Sequence, residues 1–562
     1  MAQQFRQAAV WRAPITRRKL LATGAVAAGG ALAACGGRGS GNPTTSSSGA
    51  QAGKPRPGGQ IALADSYDAS TLDPATKLSE VGRVMAWTNE SLLGYKSGSE
   101  VPYDQMTIVT ALAERWEQPD PQTFTMHLQP NVSFAALPPV NGRPLTADDV
   151  KWTYEYLGRT GRFKDTKLPP SSAAPMLSGL DRIDTPDPAT VVLHFAQPYA
   201  PFMSYAASQW LPVLAHEIFD ADGDFSQRAV GTGPFQPDVA ASQRGSRWVY
   251  KKNPTYFRKG LPYADQVVDL TIAQNAGQDA AFLTKQLDIL DYSGLALDRV
   301  QQMKKSLPAA VQSTHLDAQS YVLYMNVSKP PLNDARIRQA LGLSIDRDEF
   351  VKTFAEGKGE WALAAANPGM FTHDETVAIL KRDPAQAQQL VRAAGFTNGV
   401  EIEFIYATSY GDQFVSILQL LQSQWKKGGL NVALKGLEHA SESGRRRSGD
   451  YQLGMTPRGQ GVPIEPDSSV YGMFYPGSTD NQGRINDPDL TPLLEAQRRE
   501  LDPAKRRDLL RQAIKRINEV PWCLALFYGT SYDLRQSYVK NFARNISDVS
   551  SARYLTNVWL EK

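Results

Sequence analysis

Residues 401–434, EIEFIYATSYGDQFVSILQLLQSQWKKGGLNVAL, decide the fold class of this 562-residue chain. Residues 401–406 and 431–434 are rich in apolar and β-branched side chains, which predicts two strands. Between them, residues 412–427 place apolar side chains on one helical face, and Gly428 follows as a stop signal. A right-handed crossover puts such a helix on the face of a parallel sheet. The pattern therefore predicts a βαβ unit in an α/β fold with a doubly wound layer.

Local signals predict further strands and helices on both sides of this unit. Residues 124–128 alternate apolar and polar side chains, and residues 190–195 are rich in β-branched side chains, so both are predicted strands. Helix starts are predicted where a capping side chain precedes an apolar helical face, at Thr146 with Asp149, at Asp383 with Pro384 and at Asp502 with Pro503. Helices and strands are thus mixed along the whole body of the chain.

Two extended segments are candidates for connections between two lobes. Residues 321–327 form a continuous extended run that ends shortly before Pro330 and Pro331. Residues 524–528 form a second such run after Pro521. Two crossings of this kind would let the lobes hinge, because a few residues at a crossing can absorb the change of backbone dihedrals that closure needs.

Residues 1–34 have the composition of an export signal. Arg17 and Arg18 precede an uncharged apolar run that is too short to span a bilayer. The paired arginines resemble a twin-arginine signal, and the residues up to Cys35 resemble a bacterial lipobox in which this cysteine is lipidated. Residues 35–57, rich in Gly, Ser, Thr and Pro, are predicted to form a flexible tether. The alternative is a free N-terminal helix in which Cys35 is incidental.

The charge of the chain argues against nucleic acid as a partner. The formal net charge is +3, and removal of the first 34 residues leaves 55 basic against 57 acidic side chains. Nucleic-acid binding needs clustered Lys and Arg. The one cluster, residues 445–447, lies among Gly and Ser and is predicted to be a solvated loop, with an anion or partner site as the alternative. A membrane channel is excluded, because no run reaches the roughly 20 apolar residues of a spanning helix.

The sequence lacks the motifs of a phosphate-binding loop, a serine-hydrolase elbow or a paired-histidine zinc site. With Cys35 assigned to lipid, Cys523 is left single in an apolar run and is predicted to be a buried, inert thiol. His373 beside Asp374 and Glu375 is predicted to lie in an exposed polar turn, with a metal ligand as the alternative. We therefore expect no catalytic residues, no metal and no cofactor.

A series of motifs extends from Gly58 to about residue 545. The most characteristic one is Gly231-Thr232-Gly233-Pro234-Phe235. The others are residues 58–61, Leu72-Asp73-Pro74, residues 112–116, 124–128 and 145–150, and residues 331–346. In this order, and after a lipoprotein signal, they resemble the extracytoplasmic solute-binding proteins, family 5, which is the peptide and nickel class of ABC transporter substrate-binding lipoproteins.

The resemblance implies a two-lobed fold like that of type II periplasmic binding proteins, with an extra subdomain and two hinge strands. The first lobe is expected to combine residues 58–320 and 525–562, and the second lobe to comprise residues 321–524. The residues that match the family's hinge are Tyr324, Met325, Asn326 and Leu526. Gly231 and Gly233 are expected to permit a tight backbone path.

The resemblance also indicates where the ligand would bind. Peptide binders of the family often carry an aspartate that pairs with the ligand's amino group, and Val462 stands in its place here. A peptide amino group would then lose this partner, unless Glu465 or Asp467 substitutes. The residues expected to line the cleft are Tyr67, Trp87, Trp210, Tyr410, Arg458 and Glu465.

The function implied is capture of a solute by a monomeric lipoprotein outside the membrane. The ligand would be a dipeptide, an oligopeptide or a related molecule, and the partners would be ABC permease subunits. Cys35 would hold the protein at the cell membrane, and no reaction would be catalysed. The alternatives are an exported hydrolase of peptides or glycans, and a sensor or adhesin that uses the same cleft.

Overall fold

The structure is a computed structural model. It describes residues 53–66, 68–76, 78–290, 297–366, 380–456, 465–546 and 555–562. Helices and strands are mixed throughout these ranges, which confirms the predicted α/β class. The expected export signal, Cys35 and His373 lie outside the described residues.

The described strands are numbered in chain order. They are β1 (Gln60–Asp65), β2 (Leu93–Tyr95), β3 (Ile108–Thr110), β4 (Ala113–Asp120), β5 (Thr123–Leu128), β6 (Leu180–Asp187), β7 (Thr190–Phe195), β8 (Phe235–Pro237), β9 (Arg247–Lys252), β10 (Gln266–Thr271), β11 (Ile289–Leu290), β12 (Val311–Met325), β13 (Glu360–Trp361), β14 (Val400–Ala407), β15 (Leu430–Leu437), β16 (Leu453–Thr456), β17 (Cys523–Arg535), β18 (Val539–Lys540) and β19 (Trp559–Leu560). The strands predicted at 124–128 and 190–195 are confirmed as β5 and β7.

The described helices are numbered in the same way. They are α1 (Leu78–Thr88), α2 (Ala147–Gly158), α3 (Phe202–Ala206), α4 (His216–Asp222), α5 (Asn275–Leu283), α6 (Leu297–Ser306), α7 (Ala335–Leu343), α8 (Arg347–Phe354), α9 (Pro384–Ala393), α10 (Asp412–Lys427), α11 (His439–Ser448), α12 (Pro466–Phe474), α13 (Thr491–Arg499) and α14 (Pro503–Glu519). Within the described part of the chain, no helix is long and apolar enough to cross a bilayer.

The βαβ unit is confirmed. Strands β14 and β15 are parallel, with Val400 paired to Leu430 and Ala407 to Leu437. Helix α10 buries the apolar face that the sequence predicted, and the helix ends at Gly428. The next residue, Gly429, has a φ of 79°, a left-handed conformation that favours glycine at a helix end.

The predicted helix starts are confirmed by their capping contacts. Thr146 and Asp149 form a capping box at the start of α2. The Asp383 side chain accepts a hydrogen bond from the Gln386 backbone N–H at 2.9 Å, and Asp502 accepts from Ala504 and Lys505 at 2.9 Å each. Each carboxylate satisfies backbone donors that the first helical turn leaves free, which fixes where the helix begins.

The first lobe is built around a large apolar core that draws on both ends of the described chain, with two smaller clusters beside it. The core combines residues between Ile61 and Ile289 with residues between Val539 and Leu560. Two four-stranded sheets surround it. One has the order β1-β10-β9-β8, with β1 and β10 parallel, and the other is the antiparallel sheet β4-β5-β7-β6.

A seven-stranded sheet has the order β11-β17-β12-β16-β14-β15, with β13 also paired to β17. Its β16-β14-β15 end lies in the second lobe, and its β11 end reaches the first lobe, where Ile289 belongs to the core. Strands β12 and β17 form a long antiparallel ribbon, from Val311 opposite Arg535 to Tyr324 opposite Cys523. The two extended segments predicted from the sequence are therefore strands, and they pair with each other. The register of the ribbon shifts between Leu316 and Ser320.

The four expected hinge residues lie deep in the second lobe. Met325 and Leu526 are fully buried in its apolar core, and Tyr324 pairs with Gly454 of β16. Asn326 is also buried, and its Nδ2 donates to the Gly449 carbonyl at 2.9 Å. Residues 525–528, which the sequence assigned to the first lobe, pack in the same second-lobe cores. The hinge role of these residues stays a prediction.

Two local predictions had opposite outcomes. Residues 445–447 form the last turn of α11, and Arg446 is buried against Glu442, so the expectation of a solvated loop was wrong. The physical reason is that the buried carboxylate of Glu442, one turn earlier, pairs with the guanidinium.

Cys523 is confirmed as a free, buried thiol, and burial raises its pKa to about 12.

Candidate ligand-binding cleft

The second lobe gathers the ends of three parallel strands at one edge of its sheet. Strand β14 is parallel to both β15 and β16, so Ala407, Leu437 and Thr456 end at the same edge. In open α/β sheets, ligands bind beyond the carboxyl ends of the strands. Tyr410, in the turn after β14, lies at this edge and packs edge-on against Phe414 with ring centroids 4.9 Å apart.

A buried cation lies among aromatic side chains next to this edge. The Arg446 Nε donates to Glu442 at 2.9 Å, and the guanidinium lies 5.3 Å from the centre of the Tyr324 ring. Burial alone would lower the pKa of Arg446, but the hydrogen bond and charge of Glu442 outweigh it and raise the pKa. Burial, followed by the charge of Glu442, raises the pKa of Tyr410. The edge is therefore aromatic, with an arginine held in its charged form.

The first lobe has a matching edge at the ends of β1 and β10, which are parallel. Asp65 is the last residue of β1, and Asp269 lies on β10. The Arg83 guanidinium lies 3.1 Å from an Asp269 carboxylate oxygen and 3.4 Å from one of Asp65. Asp68 accepts from the Trp248 indole N–H at 2.7 Å. Asp65 and Asp269 thus share the Arg83 guanidinium. Asp68 adds a third carboxylate at this edge, and Arg244, 5.4 Å from the centre of the Trp248 ring, adds a second guanidinium, so the carboxylates are in excess by one.

The carboxyl group of Asp269 is strongly affected by its surroundings. Its side chain is 13% exposed. Burial raises its pKa to about 6, although the charge of Arg83 lowers the pKa again in part. The edge of the first lobe therefore becomes more negative as the pH rises through about 6.

The start of α12 carries two buried carboxylates that are already paired. Glu465 is 1% exposed, caps the helix by accepting from the Asp467 backbone N–H at 3.1 Å, and forms an ion pair with Arg506. Asp467 is paired with Arg498 at 2.9 Å and accepts from Gln497 at 2.7 Å. These contacts give Glu465 a structural role, and its expected contact with ligand stays a prediction.

The two tryptophans expected at the cleft lie in the first-lobe core. Trp87 is 1% exposed and lies edge-on to Tyr250, with ring centroids 5.0 Å apart. Trp210 is also buried, and its ring approaches Gly82 of α1 so closely that a Cβ there would lie 3.0 Å away. Both side chains are fully used in packing, so their contact with ligand stays a prediction.

Of the other residues expected to line the cleft, one is described by the structure and the rest are not. Tyr410 lies at the edge of the second-lobe sheet, whereas Tyr67, Arg458 and Val462 lie outside the described residues. The described residues nearest to Tyr67 in the first lobe are Asp65 and Asp68. Those nearest to Arg458 and Val462 in the second lobe are Thr456 and Glu465. Among the described residues, no three His, Cys, Asp or Glu side chains converge in an arrangement that could hold a metal ion.

Neither charged cluster could be assembled from the sequence alone. Arg83 and Asp269 are 186 positions apart, and only the pairing of β1 with β10 brings them together. Arg446 was visible as one of three consecutive arginines, but its burial depends on Glu442 and on the strand that carries Tyr324. A helical spacing of four between Glu442 and Arg446 is the one signal that could have indicated the pair.

The chain forms two α/β lobes, which the ribbon of β12 and β17 links. Each lobe has a polar edge at the ends of parallel strands. These features define the structural class of the protein. This is the two-lobed fold of type II periplasmic binding proteins, as the sequence predicted. Matches to known proteins narrow the class further. Residues 107–481 match the family model of the bacterial extracellular solute-binding proteins, family 5. The chain belongs to this family, which confirms the resemblance found in the sequence.

Individual relatives agree with this assignment. The chain is 26% identical over 405 residues to the probable D,D-dipeptide-binding periplasmic protein DdpA of Escherichia coli (strain K12), covering 71% of this chain and 74% of that protein. It is 25% identical over 488 residues to the dipeptide-binding protein of the same organism, covering 81% and 86%.

Solved structures share the fold. The periplasmic binding protein DppA from Helicobacter pylori, in complex with the peptide STSA, has a TM-score of 0.78 at 22% identity, covering 90% of this chain and 99% of that chain. The oligopeptide-binding protein AppA from Bacillus subtilis, in complex with a nonapeptide, has a TM-score of 0.74 at 16% identity, covering 91% and 100%. At these identities the similarity shows the fold alone.

Proposed function

We propose that this chain captures a small peptide, or a related solute with a cationic amino group, and delivers it to ABC permease subunits without catalysing a reaction. The family match over residues 107–481 is the observation that carries the proposal. The names of the relatives support peptides as the ligand class, because two of them are dipeptide-binding proteins. Ligand would shift the lobes toward a closed state, because only that state lets it contact both edges.

We propose that the ammonium group of the ligand binds at the first-lobe edge. Val462 stands where peptide binders of the family often have an aspartate, so another carboxylate has to serve. Asp65 is suitable because it ends β1, is 28% exposed, and shares Arg83 with a second carboxylate, Asp269. The excess of negative charge there favours a cation over a neutral end group.

The anchoring of the protein is a further part of the proposal. Residues 1–34 would direct export, Cys35 would carry the lipid, and residues 35–57 would hold a monomeric body near the membrane. The described end of this tether, residues 53–57, is exposed, which is compatible with a linker outside the folded body.

The test is calorimetric titration of the protein with dipeptides and tripeptides, each with a free or an acetylated amino terminus. We expect binding of free peptides, and a loss of roughly tenfold or more on acetylation or in Asp65→Asn, since a charge-assisted hydrogen bond is removed. Asp181→Asn, at an exposed carboxylate on β6, is the matched control and should bind as the wild type does. Equal affinity for acetylated peptides would exclude the ammonium site, and no binding of any peptide would exclude peptides as the ligand class.

A further inference from the structure

Arg498, the second-to-last residue of α13, is held rigidly within the second lobe. Its Nε lies 2.9 Å from Asp467 Oδ1 and its Nη2 lies 3.0 Å from Asp467 Oδ2, so the pair is bidentate. The Arg498 guanidinium also stacks over the Tyr471 ring, 3.7 Å from its centre. The two side chains of the pair are only 13% and 4% exposed. A guanidinium fixed in this way loses little further freedom when it makes additional contacts.

The same residue touches the first lobe through both its backbone and its side chain. The Ala200 backbone N–H donates to the Arg498 carbonyl at 2.8 Å. The two terminal nitrogens of Arg498 lie 3.4 Å from the hydroxyl oxygens of Ser178 and Tyr199. Its guanidinium lies 5.1 Å from the centre of the Tyr199 ring, which belongs to the first-lobe core. One arginine therefore links the two lobes away from the ribbon of β12 and β17.

The neighbouring residue shows that this contact is specific to Arg498. Arg499 is 49% exposed and pairs with Glu495, one turn earlier on the same helix, at 3.4 Å. The contacts of its side chain therefore lie within α13, whereas those of Arg498 extend to the first lobe. Arg499 is thus a suitable control position, because its side chain carries the same charge on the same helix and pairs within that helix.

We propose that Arg498 is a closure residue, which holds the two lobes together in the closed arrangement and thereby sets the affinity of the cleft. This inference rests on the proposed function, because affinity has meaning only if the cleft binds a solute. The physical link is that a solute bound by the closed state has an apparent dissociation constant that increases as the closed fraction falls. Arg498 acts on that fraction and is a positioning residue.

Ser178 offers the sharpest test, because it lies on the first-lobe side and its change leaves the Arg498–Asp467 pair intact. Ser178→Asp places a negative charge beside the guanidinium, and Ser178→Lys places a positive one there. If Arg498 closes the lobes, the two variants must act in opposite directions. If Ser178 had only a structural role, both variants would instead lower the closed fraction. Arg499→Ala is the control, because it changes the charge of α13 at a side chain whose ion pair lies within that helix.

The closed fraction is measured without ligand by the distance between two spin labels in the full chain. The labels are placed at Val239→Cys on the first lobe, which is 79% exposed, and at Ser423→Cys on the second lobe. Cys35→Ser removes one competing thiol, and Cys523 is buried. We expect the short-distance population to increase at least twofold in Ser178→Asp and to decrease at least twofold in Ser178→Lys. Arg499→Ala should leave it unchanged. The same distance distribution in all four proteins would overturn the inference.

Titration of the same proteins with a library of dipeptides and tripeptides separates the inference from the proposed function. Binding should become at least twofold tighter in Ser178→Asp and at least twofold weaker in Ser178→Lys, in proportion to the closed fraction. If the distances respond but no peptide binds, closure by Arg498 stands and the peptide proposal fails. If peptides bind equally well to every variant and the distances do not change, the function stands and the closure role of Arg498 fails.

Discussion

At the scale of single residues, the packing of Gly231 and Gly233 shows why these two positions of the motif at residues 231–235 require glycine. They pass the C-terminal end of α1 so closely that no side chain fits. A Cβ on Gly233 would lie 2.5 Å from the Thr88 carbonyl carbon and from the Trp87 carbonyl oxygen, and one on Gly231 would collide with the Thr88 carbonyl oxygen. The tight backbone path that the sequence predicted is thus confirmed.

Gly233→Ala is expected to destabilise the protein severely, by roughly 3 kcal/mol or more, because the clash is with backbone that cannot rotate away. Gly444→Ala is the matched control. It lies on an exposed position of α11, where a Cβ meets no atom within 4 Å, so alanine should leave stability unchanged or raise it by about 0.5–1 kcal/mol. Urea unfolding of the three proteins measures this, and equal stability of Gly233→Ala and the wild type would refute the packing explanation.

The raised pKa of Asp269 predicts that the free energy of unfolding decreases as the pH rises. Its pKa in the folded protein is raised to about 6 from an ordinary value of 3.8, so the folded state binds the proton more tightly than the unfolded state. Stability from this group is therefore greatest below pH 3.8 and falls as the pH rises to about 6, by roughly 3 kcal/mol.

Asp269→Asn removes the titrating group and should flatten this part of the stability curve. The measurement is the melting temperature between pH 4 and pH 7.5, with the difference between variant and wild type plotted against pH. Relative to the wild type, the variant should gain stability as the pH rises from 4 to 6. Asp181→Asn, at an exposed site, should follow the wild type. A difference for Asp269→Asn that is constant with pH would contradict the raised pKa.

At the scale of elements, the start of α12 depends on a buried ion pair. Glu465 and Arg506 are 1% and 3% exposed, and Glu465 also caps the helix. Arg506→Met leaves an unpaired buried charge and is expected to cost about 3–5 kcal/mol of stability. The double variant Glu465→Gln with Arg506→Met contains no such charge, so it should be more stable than Arg506→Met alone.

Urea unfolding of the single and double variants measures this coupling between the two residues. Arg499→Ala, which breaks an exposed pair, should cost less than about 0.5 kcal/mol. Additive effects of Glu465→Gln and Arg506→Met would show that the two side chains do not depend on each other.

The elements that local sequence determines were predicted well. The caps at Asp383 and Asp502 and the helix stop at Gly428 involve residues within one turn of each other, so a short window contains the whole interaction. The ribbon of β12 and β17 was predicted only as two separate segments. Its pairing joins residues about 200 positions apart, which no local pattern records.

The shift in register between Leu316 and Ser320 bears on where the lobes hinge. The expected hinge residues Tyr324, Met325 and Asn326 are embedded in the second-lobe sheet, where bending would break packed contacts. A β-bulge leaves a strand locally free to bend. Residues 317–320 are therefore the part of the ribbon where the pairing of β12 with β17 is already interrupted.

A sequence contains less information on the ligand contacts of a cleft than on its fold, for a physical reason. A single aromatic residue has the same signature in a sequence whether it packs in a core or faces a ligand, and Trp87 and Trp210 are packed. The clusters around Arg83 and Arg446 arise from charges that distant elements bring together. The family could be predicted because its motifs fix backbone geometry, while the ligand depends on side chains outside those motifs.

At the scale of the whole molecule, the central claim is that two lobes enclose a small solute that the protein does not change. Native mass spectrometry of the full chain tests this most directly, with gently purified protein compared with the same protein after denaturation and refolding. We predict an added mass in the range of a small peptide or a solute of similar size, present only before refolding and released intact. No added mass, together with no thermal stabilisation by any peptide, or release of a chemically altered molecule, would contradict the account.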